Sequence, residues 1–184
     1  MKKESIARYV LRLTFTLLAI AIVVAALLAL VNRITAPIIQ RANDQKTQNA
    51  IALVLPGGYD TEITDFTDET GLVSKVYKGA NGYALEVKPA GFDNTITMMV
   101  GVDFDGKILG ISVVSHTETA GLGAVAAAST SAGEGFRGQF VDQSGSVSVS
   151  KDGGQIEAIT GATITSRAIC VGVNAALDCA AGLG

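Results

Sequence analysis

The sequence predicts an α+β domain carried on a single membrane-spanning helix and a helical stalk, and three observations carry that prediction. A charge-free run, LTFTLLAIAIVVAALLALVN, lies between Arg12 and Arg33. Val- and Ile-rich segments separated by Gly, Asn and Asp turns fill the middle of the 184-residue chain. An apolar run with helical spacing closes it, opened by the hydroxyl-rich stretch AITGATITSRAI at 158–169. Strands and helices mix without a regular βαβ beat, which is the pattern of an α+β fold. The part after residue 54 has 130 residues, enough for one core.

The first element is the span, Leu13 to Val31. Its 19 residues make about 28 Å of helix, close to the hydrocarbon thickness of a bilayer. Thr14 and Thr16 are tolerated there because their hydroxyls can bond carbonyls of the preceding turn. A cleaved signal peptide is the rival reading, but its apolar core is usually about 7–15 residues. Residues 1–12 form a tail in which Lys2, Lys3, Arg8 and Arg12 oppose Glu4. Basic residues after the span (Arg33, Arg41, Lys46) are more diffuse. The positive-inside rule therefore puts the N-terminus in the cytoplasm and the C-terminal domain outside the cell membrane. Ala19, Ala21, Ala25, Ala26 and Ala29 give the span a small-residue face suited to packing on other membrane helices.

Residues 32–54 read as a helical stalk, with Ile34, Ile38, Ile39 and Ala42 on one side and Pro37 marking a kink or restart. LPGGYD at 55–60 ends it, and the domain at 55–184 begins. LVSKVYK (72–78) and YALEVK (83–88) flank GANG, a hairpin turn. TITMMVGVDF (95–104) and KILGISVVS (107–115) flank Asp-Gly, a second hairpin. Gly101 and Gly110 inside these strands mark bulges or the close approach of another backbone. GLGAVAAAS (121–129) and GEGFRGQF (133–140) read as short helices, SVSVSK (146–151) as an alternating strand, and Thr165 to Ala180 as the last helix.

Charge and composition exclude several functions. From Asn32 onward ten basic residues face sixteen acidic ones, and no basic stripe is present for nucleic acid. His116 is the only histidine, so no histidine cluster can hold a metal and a Ser-His-Asp triad would depend on it alone. Cys170 and Cys179 are nine apart, on opposite faces of one helix, which suits buried thiols and neither a disulfide nor a metal site. GLGAVA at 121–126 fits a dinucleotide fingerprint, but HTETA separates it from the preceding strand and no parallel strand follows. No Gly-Lys-Ser/Thr exists for a Walker loop.

The crowded hydroxyls of Thr160, Thr163, Thr165 and Ser166 admit two readings. Ser and Thr before a helix are ordinary caps. A helix N-terminus also attracts a phosphate, and Gly161 would let a ligand approach the backbone.

Three motifs in order resolve the choice by resemblance. TGAT (160–163) resembles the Ser/Thr-Gly-Ala-Thr flavinylation motif of the FMN-binding domain. HTETAGLG (116–123) is similar to that family's His-x-Glu-Thr-Pro-Gly-Leu-Gly, and GFDNTITMMVGVD (91–103) to its Gly-Tyr-Gly-Gly-x-Ile strand entry. The domain occurs in the G subunit of the Rnf ferredoxin:NAD⁺ oxidoreductase complex and in the C subunit of the sodium-pumping NADH:quinone oxidoreductase. The length and the N-terminal span resemble the former.

The resemblance implies an electron-relay component of a redox-driven ion-translocating complex, with no catalytic residues of its own and FMN joined to Thr163 by a phosphoester. A separate flavin transferase would make the bond from FAD. Thr160, Gly161, Ala162, Thr165 and Ser166 would hold the diester, while Glu118, Thr119, Leu122 and Gly123 border the ring with His116 beside them. Partners would be the other Rnf subunits. Glu157 stands where the family has Asp, Ala120 where it has Pro, and Asp93-Asn94 where it has Gly-Gly. The FMN-carrying component of the quinone reductase, and a non-redox anchored binding or assembly domain with TGAT as a mere cap, are the alternatives.

Overall fold

A computed structural model describes residues 3–183. One helix, α1, runs Lys3–Val54. Five strands follow: β1 Thr61–Ile63, β2 Val73–Gly79, β3 Gly82–Val87, β4 Thr97–Asp103 and β5 Ile108–Ser115. A 3₁₀ turn at Gly123–Ala127, helix α2 at Ser131–Gly138, a second 3₁₀ turn at Ser150–Asp152 and helix α3 at Thr163–Ala181 complete the chain. This is the predicted α+β architecture behind a long apolar helix.

The described residues divide into two units, the first ending at Gln45 and the second beginning at Lys46. In the first unit the side chains of Leu13, Phe15, Leu17, Leu27 and Leu30 are exposed. Thr14 Oγ1 donates to the Val10 carbonyl at 2.9 Å and Thr16 Oγ1 to that of Leu13 at 2.8 Å. The helix is long and apolar enough to cross a membrane. Of the kink or restart read at Pro37, the restart does not occur: the proline lies within the helix without ending it. The ring removes one N–H, and the neighbouring turns carry the ladder past it.

In the second unit the strands form an antiparallel sheet in chain order, β1-β2-β3-β4-β5. The two predicted hairpins are present: Ala80-Asn81 joins β2 to β3, with Gly79 opposite Gly82, and the Asp-Gly turn joins β4 to β5. The sheet is covered on both faces, so β3 is buried along its whole length. On one face Leu85, Val87, Met98, Val100 and Ile108 pack with Phe136, Phe140, Ile169 and Val173 of α2, α3 and their neighbours. On the other, Tyr77, Ala84 and Met99 pack with Ala50, Ile51, Val54 and Leu55 at the end of α1. Gly101 and Gly110 sit opposite each other in β4 and β5. A Cβ on Gly101 would collide with the Val54 carbonyl oxygen, so the close backbone approach read from the sequence is made by the last turn of α1.

Three local readings are corrected, and one strand is added. SVSVSK is no sheet strand: the Asn174 side chain accepts from Val147 N at 2.8 Å and donates to its carbonyl at 3.0 Å, taking the place of a strand partner. Val149 makes only an isolated parallel bridge to Ile156. Of GLGAVAAAS, only Gly123–Ala127 is helical, as a tight 3₁₀ turn. α3 starts at Thr163, two residues before the expected Thr165. β1, short and largely exposed, carried no sequence signal and forms by pairing with β2.

Cys170 and Cys179 are both free and buried. Burial, aided by the charge of Asp152, pushes the Cys170 thiol up to about 11, and burial likewise raises Cys179. These are packing thiols.

The glycine pair yields a contrast. Gly101→Ala is expected to cost about 1–3 kcal/mol through overpacking against Val54. Gly110→Ala, whose Cβ would meet the Val54 Cα at an ordinary 3.7 Å, should be nearly neutral. Urea unfolding midpoints of the two variants test the difference.

Candidate functional site

A cleft of about 290 Å³ opens at the start of α3. It is lined by Phe92 from the loop before β4, by Glu118, Thr119, Leu122 and Gly123 from the segment after β5, by Lys151, and by Gly161 to Thr165.

Glu118 holds these pieces together. It is 7% exposed, and both carboxylate oxygens are used. Oε1 accepts from the backbone N–H of Phe92 at 2.8 Å and of Asp93 at 3.3 Å. Oε2 accepts from the Thr165 hydroxyl. The Glu118 N–H donates to His116 Nδ1 at 3.2 Å, which folds the loop back on itself. A Cβ on Gly91 would collide with Glu118 Oε1, and one on Gly123 with Oε2 and Thr165 Oγ1. Three separate chain segments therefore converge on one carboxylate, and glycines give it room.

The hydroxyl cluster is divided by the fold. Thr163 is the first residue of α3, and its Oγ1 faces Lys151 Nζ at 3.3 Å on the cleft. Thr165 is committed to Glu118. Ser166 is fully buried, donating to the Ala162 carbonyl at 3.0 Å and accepting from Ile159 N at 3.0 Å. Thr160 is exposed and lines a separate depression with Gly121 and Glu157. The helix N-cap is Ala162, with no side-chain cap. None of the four hydroxyls is therefore an N-cap, and the first-turn N–H groups face the cleft end of α3 without a capping oxygen. Gly161 has φ 75°, the left-handed region that favours glycine, and a Cβ there would press on Leu122 Cδ2 at 2.9 Å.

The cleft thus gathers eight of the eleven residues read from the sequence, and leaves out Thr160, Ser166 and His116. His116 lies behind Glu118, in a small interior gap with Ile96, Val113 and Ile169. Three lining residues were not foreseen: Phe92, Lys151 and Ile164. Phe92 occupies the Tyr position of the strand-entry pattern, so a signal for it existed. Lys151 had none, because only the turn after Val149 brings it to Thr163. Asp152 beside it takes Arg167 Nε and NH2, both at 2.6 Å. The hydrogen bond and charge of Arg167 hold the Asp152 carboxyl below its usual range.

The donor set fits a phosphorylated, partly apolar ligand. A hydroxyl, an ammonium and an uncapped helix start supply one anion-binding corner. Phe92, Leu122 and Ile164, 65%, 42% and 51% exposed, supply apolar cover around it. Among the described residues no group of His, Cys, Asp and Glu is placed to hold a metal ion. The volume is at the low end of small-molecule sites, roughly 300–1,000 Å³, which suits holding part of a larger molecule.

Comparison with known proteins points to one class. Residues 91–178 match the model of the FMN-binding domain, and residues 1–54 that of the RnfG N-terminal region. The G subunit of the ion-translocating oxidoreductase complex of Methanosarcina acetivorans is 32% identical over 183 residues, covering 94% of this chain and 95% of the relative. The G subunit of the Na(+)-translocating ferredoxin:NAD(+) oxidoreductase complex of Acetobacterium woodii is 32% identical over 192 residues, covering 93% and 91%. The G subunit of the Pseudomonas aeruginosa ion-translocating oxidoreductase complex is 32% identical over 188 residues, covering 92% and 88%. The chain is therefore a protein with an FMN-binding domain, over residues 91–178. The chain belongs to the RnfG family, the G subunits of Rnf-type ion-translocating oxidoreductase complexes.

Glu118→Ala would leave two backbone N–H groups and a buried hydroxyl without their acceptor, at a cost of about 2–3 kcal/mol. Glu118→Gln, which keeps an acceptor and a polar partner for Thr165, should lose less. Chemical denaturation of both variants checks the order.

Proposed function

We propose that this chain is a membrane-anchored flavoprotein that relays electrons within an Rnf-type complex, with FMN attached to Thr163 through a phosphoester. The observation that carries the reading is the Thr163 hydroxyl, at the uncapped start of α3 and 3.3 Å from Lys151 Nζ, within the segment that matches the FMN-binding domain. Bound flavin supplies the redox chemistry. The chain's residues bind and orient it. Lys151 and the positive end of α3 would hold the diester's charge. Phe92, Leu122 and Ile164, with Thr119 and Gly123, line the same cleft and would hold the ring side. Attachment through the phosphate leaves the ring free to change redox state and prevents its loss.

Maturation balances simply. Thr163 Oγ1 bonds to the flavin-side phosphorus of FAD, the pyrophosphate P–O bond breaks, AMP leaves, and the hydroxyl proton passes to a base of the flavin transferase. Residues 1–12 lie in the cytoplasm, 13–31 span the membrane, 32–54 form a stalk, and the domain at 55–184 faces outward, where the other membrane and peripheral subunits supply donor and acceptor. Support comes from the charge asymmetry about the span and from relatives named as subunits of such complexes.

Two measurements test the reading. Intact mass of chain matured with its transferase should rise by one FMN less water, and its denatured gel band should fluoresce. Thr163→Ala should show neither change, and a fluorescent Thr163→Ala band would sink the attachment site. Glu118, as a charge on the cleft wall, should lower the flavin potential by repelling added negative charge. Glu118→Gln should then raise the midpoint, and an unchanged midpoint in potentiometric titration counts against that role.

A further inference from the structure

The loop read as a strand carries a lysine to the Thr163 hydroxyl, on the cleft at the head of α3. Lys151 is exposed, in the 3₁₀ turn Ser150–Asp152, and its Nζ donates to Thr163 Oγ1 at 3.3 Å across twelve residues of chain. An exposed lysine on a free loop would bring no fixed charge to that point. This loop is not free. Asp152 grips Arg167, four residues after Thr163 on α3, through two hydrogen bonds of 2.6 Å. The turn is closed at Gly153, which has φ 86°, and a Cβ on Gly154 would collide with the Ser148 backbone. On its other side Val147 is pinned to Asn174, also on α3. The loop is thus riveted to the helix that bears Thr163, once on either side of Lys151.

We propose that Lys151 is the positioning cation of the acceptor site: it orients the Thr163 hydroxyl and draws the FAD pyrophosphate onto it during transfer of the FMN phosphoryl group. The inference rests on Thr163 being the attachment residue. In the bare chain the ammonium donates to Thr163 Oγ1, which leaves that oxygen's other lone pair directed away from Lys151. As the oxygen bonds to phosphorus and the pyrophosphate bridge breaks, negative charge grows on the phosphoryl oxygens beside the ammonium, and attraction there lowers the barrier. The proton leaves to the transferase base, and Lys151 keeps its own. In the product the ammonium faces a singly charged diester. Lysine suits this task as a point charge that can move from hydroxyl to phosphoryl oxygen without a fixed fork geometry. The Asp152–Arg167 pair occupies the neighbouring carboxylate, which would otherwise compete for Lys151.

The experiment is a time course of flavin transfer in vitro, with the full-length chain in detergent, FAD and a flavin transferase, read by intact mass. Lys151→Gln should lower the initial rate by about 100-fold, the low end for removal of one transition-state donor. Lys151→Glu should be slower still, and Lys151→Arg should recover most of the rate. Raising the salt should slow the wild type and leave Lys151→Gln almost unchanged, a signature that a packing role would not produce. Thermal midpoints of wild type and Lys151→Gln should coincide, since the side chain is exposed. Wild-type rates in Lys151→Gln, or no rescue by Lys151→Arg, overturn the assignment while leaving Thr163 in place. A wild-type chain that gains no mass, or a Thr163→Ala chain that gains as much, overturns the attachment reading and the role of Lys151 with it.

Discussion

The carboxylate of Glu118 is the interaction on which the cleft depends. Phe92 and Asp93 lie before β4, Glu118 after β5, and Thr165 on the last helix, so no local rule brings them together. One buried group accepting from two backbone N–H groups and one hydroxyl does so. A buried carboxylate is costly unless its oxygens are bonded, and here both are. The same bonds fix the distance between the Phe92 side of the cleft and the Thr163 side.

The sheet supports this arrangement from beneath. With α2 and α3 on one face and the end of α1 on the other, β3 and β4 are buried nearly throughout. The glycine at 101 lets the last turn of α1 lie against the sheet backbone. Ala50, Ile51, Val54 and Leu55, which close the long helix and begin the turn after it, therefore belong to the domain's second core.

At the helix start, hydroxyls of similar appearance do different things. Ser166 ties the turn before α3 to the helix, Thr165 anchors Glu118, and Thr163 keeps its oxygen on the cleft beside an ammonium. A cap would have used one of them to satisfy the first-turn N–H groups. Ala162 as N-cap leaves those donors without a side-chain cap. Buried hydroxyls build the site, and the half-buried Thr163 lines it.

Much of this protein is legible in the sequence, wherever a short-range rule governs. The apolar run fixes the first helix through its length, the two hairpins follow from Asn-Gly-type turns between β-branched runs, and Gly101 signals a close approach without naming the neighbour. The TGAT and HTETAGLG motifs locate most of the cleft. Where the partner is distant the sequence is silent. SVSVSK alternates like a strand, yet Asn174, on the last helix, takes its hydrogen bonds and turns it into the loop that carries Lys151. Glu118 reads as a cleft residue from its motif, but that it braces three segments follows only from their meeting. Periodicity and turn chemistry act over a few residues and so determine which elements form. Side chains that meet across 12 or 47 positions are chosen by packing, and packing alone decided which hydroxyl faces the lysine and which serves the carboxylate.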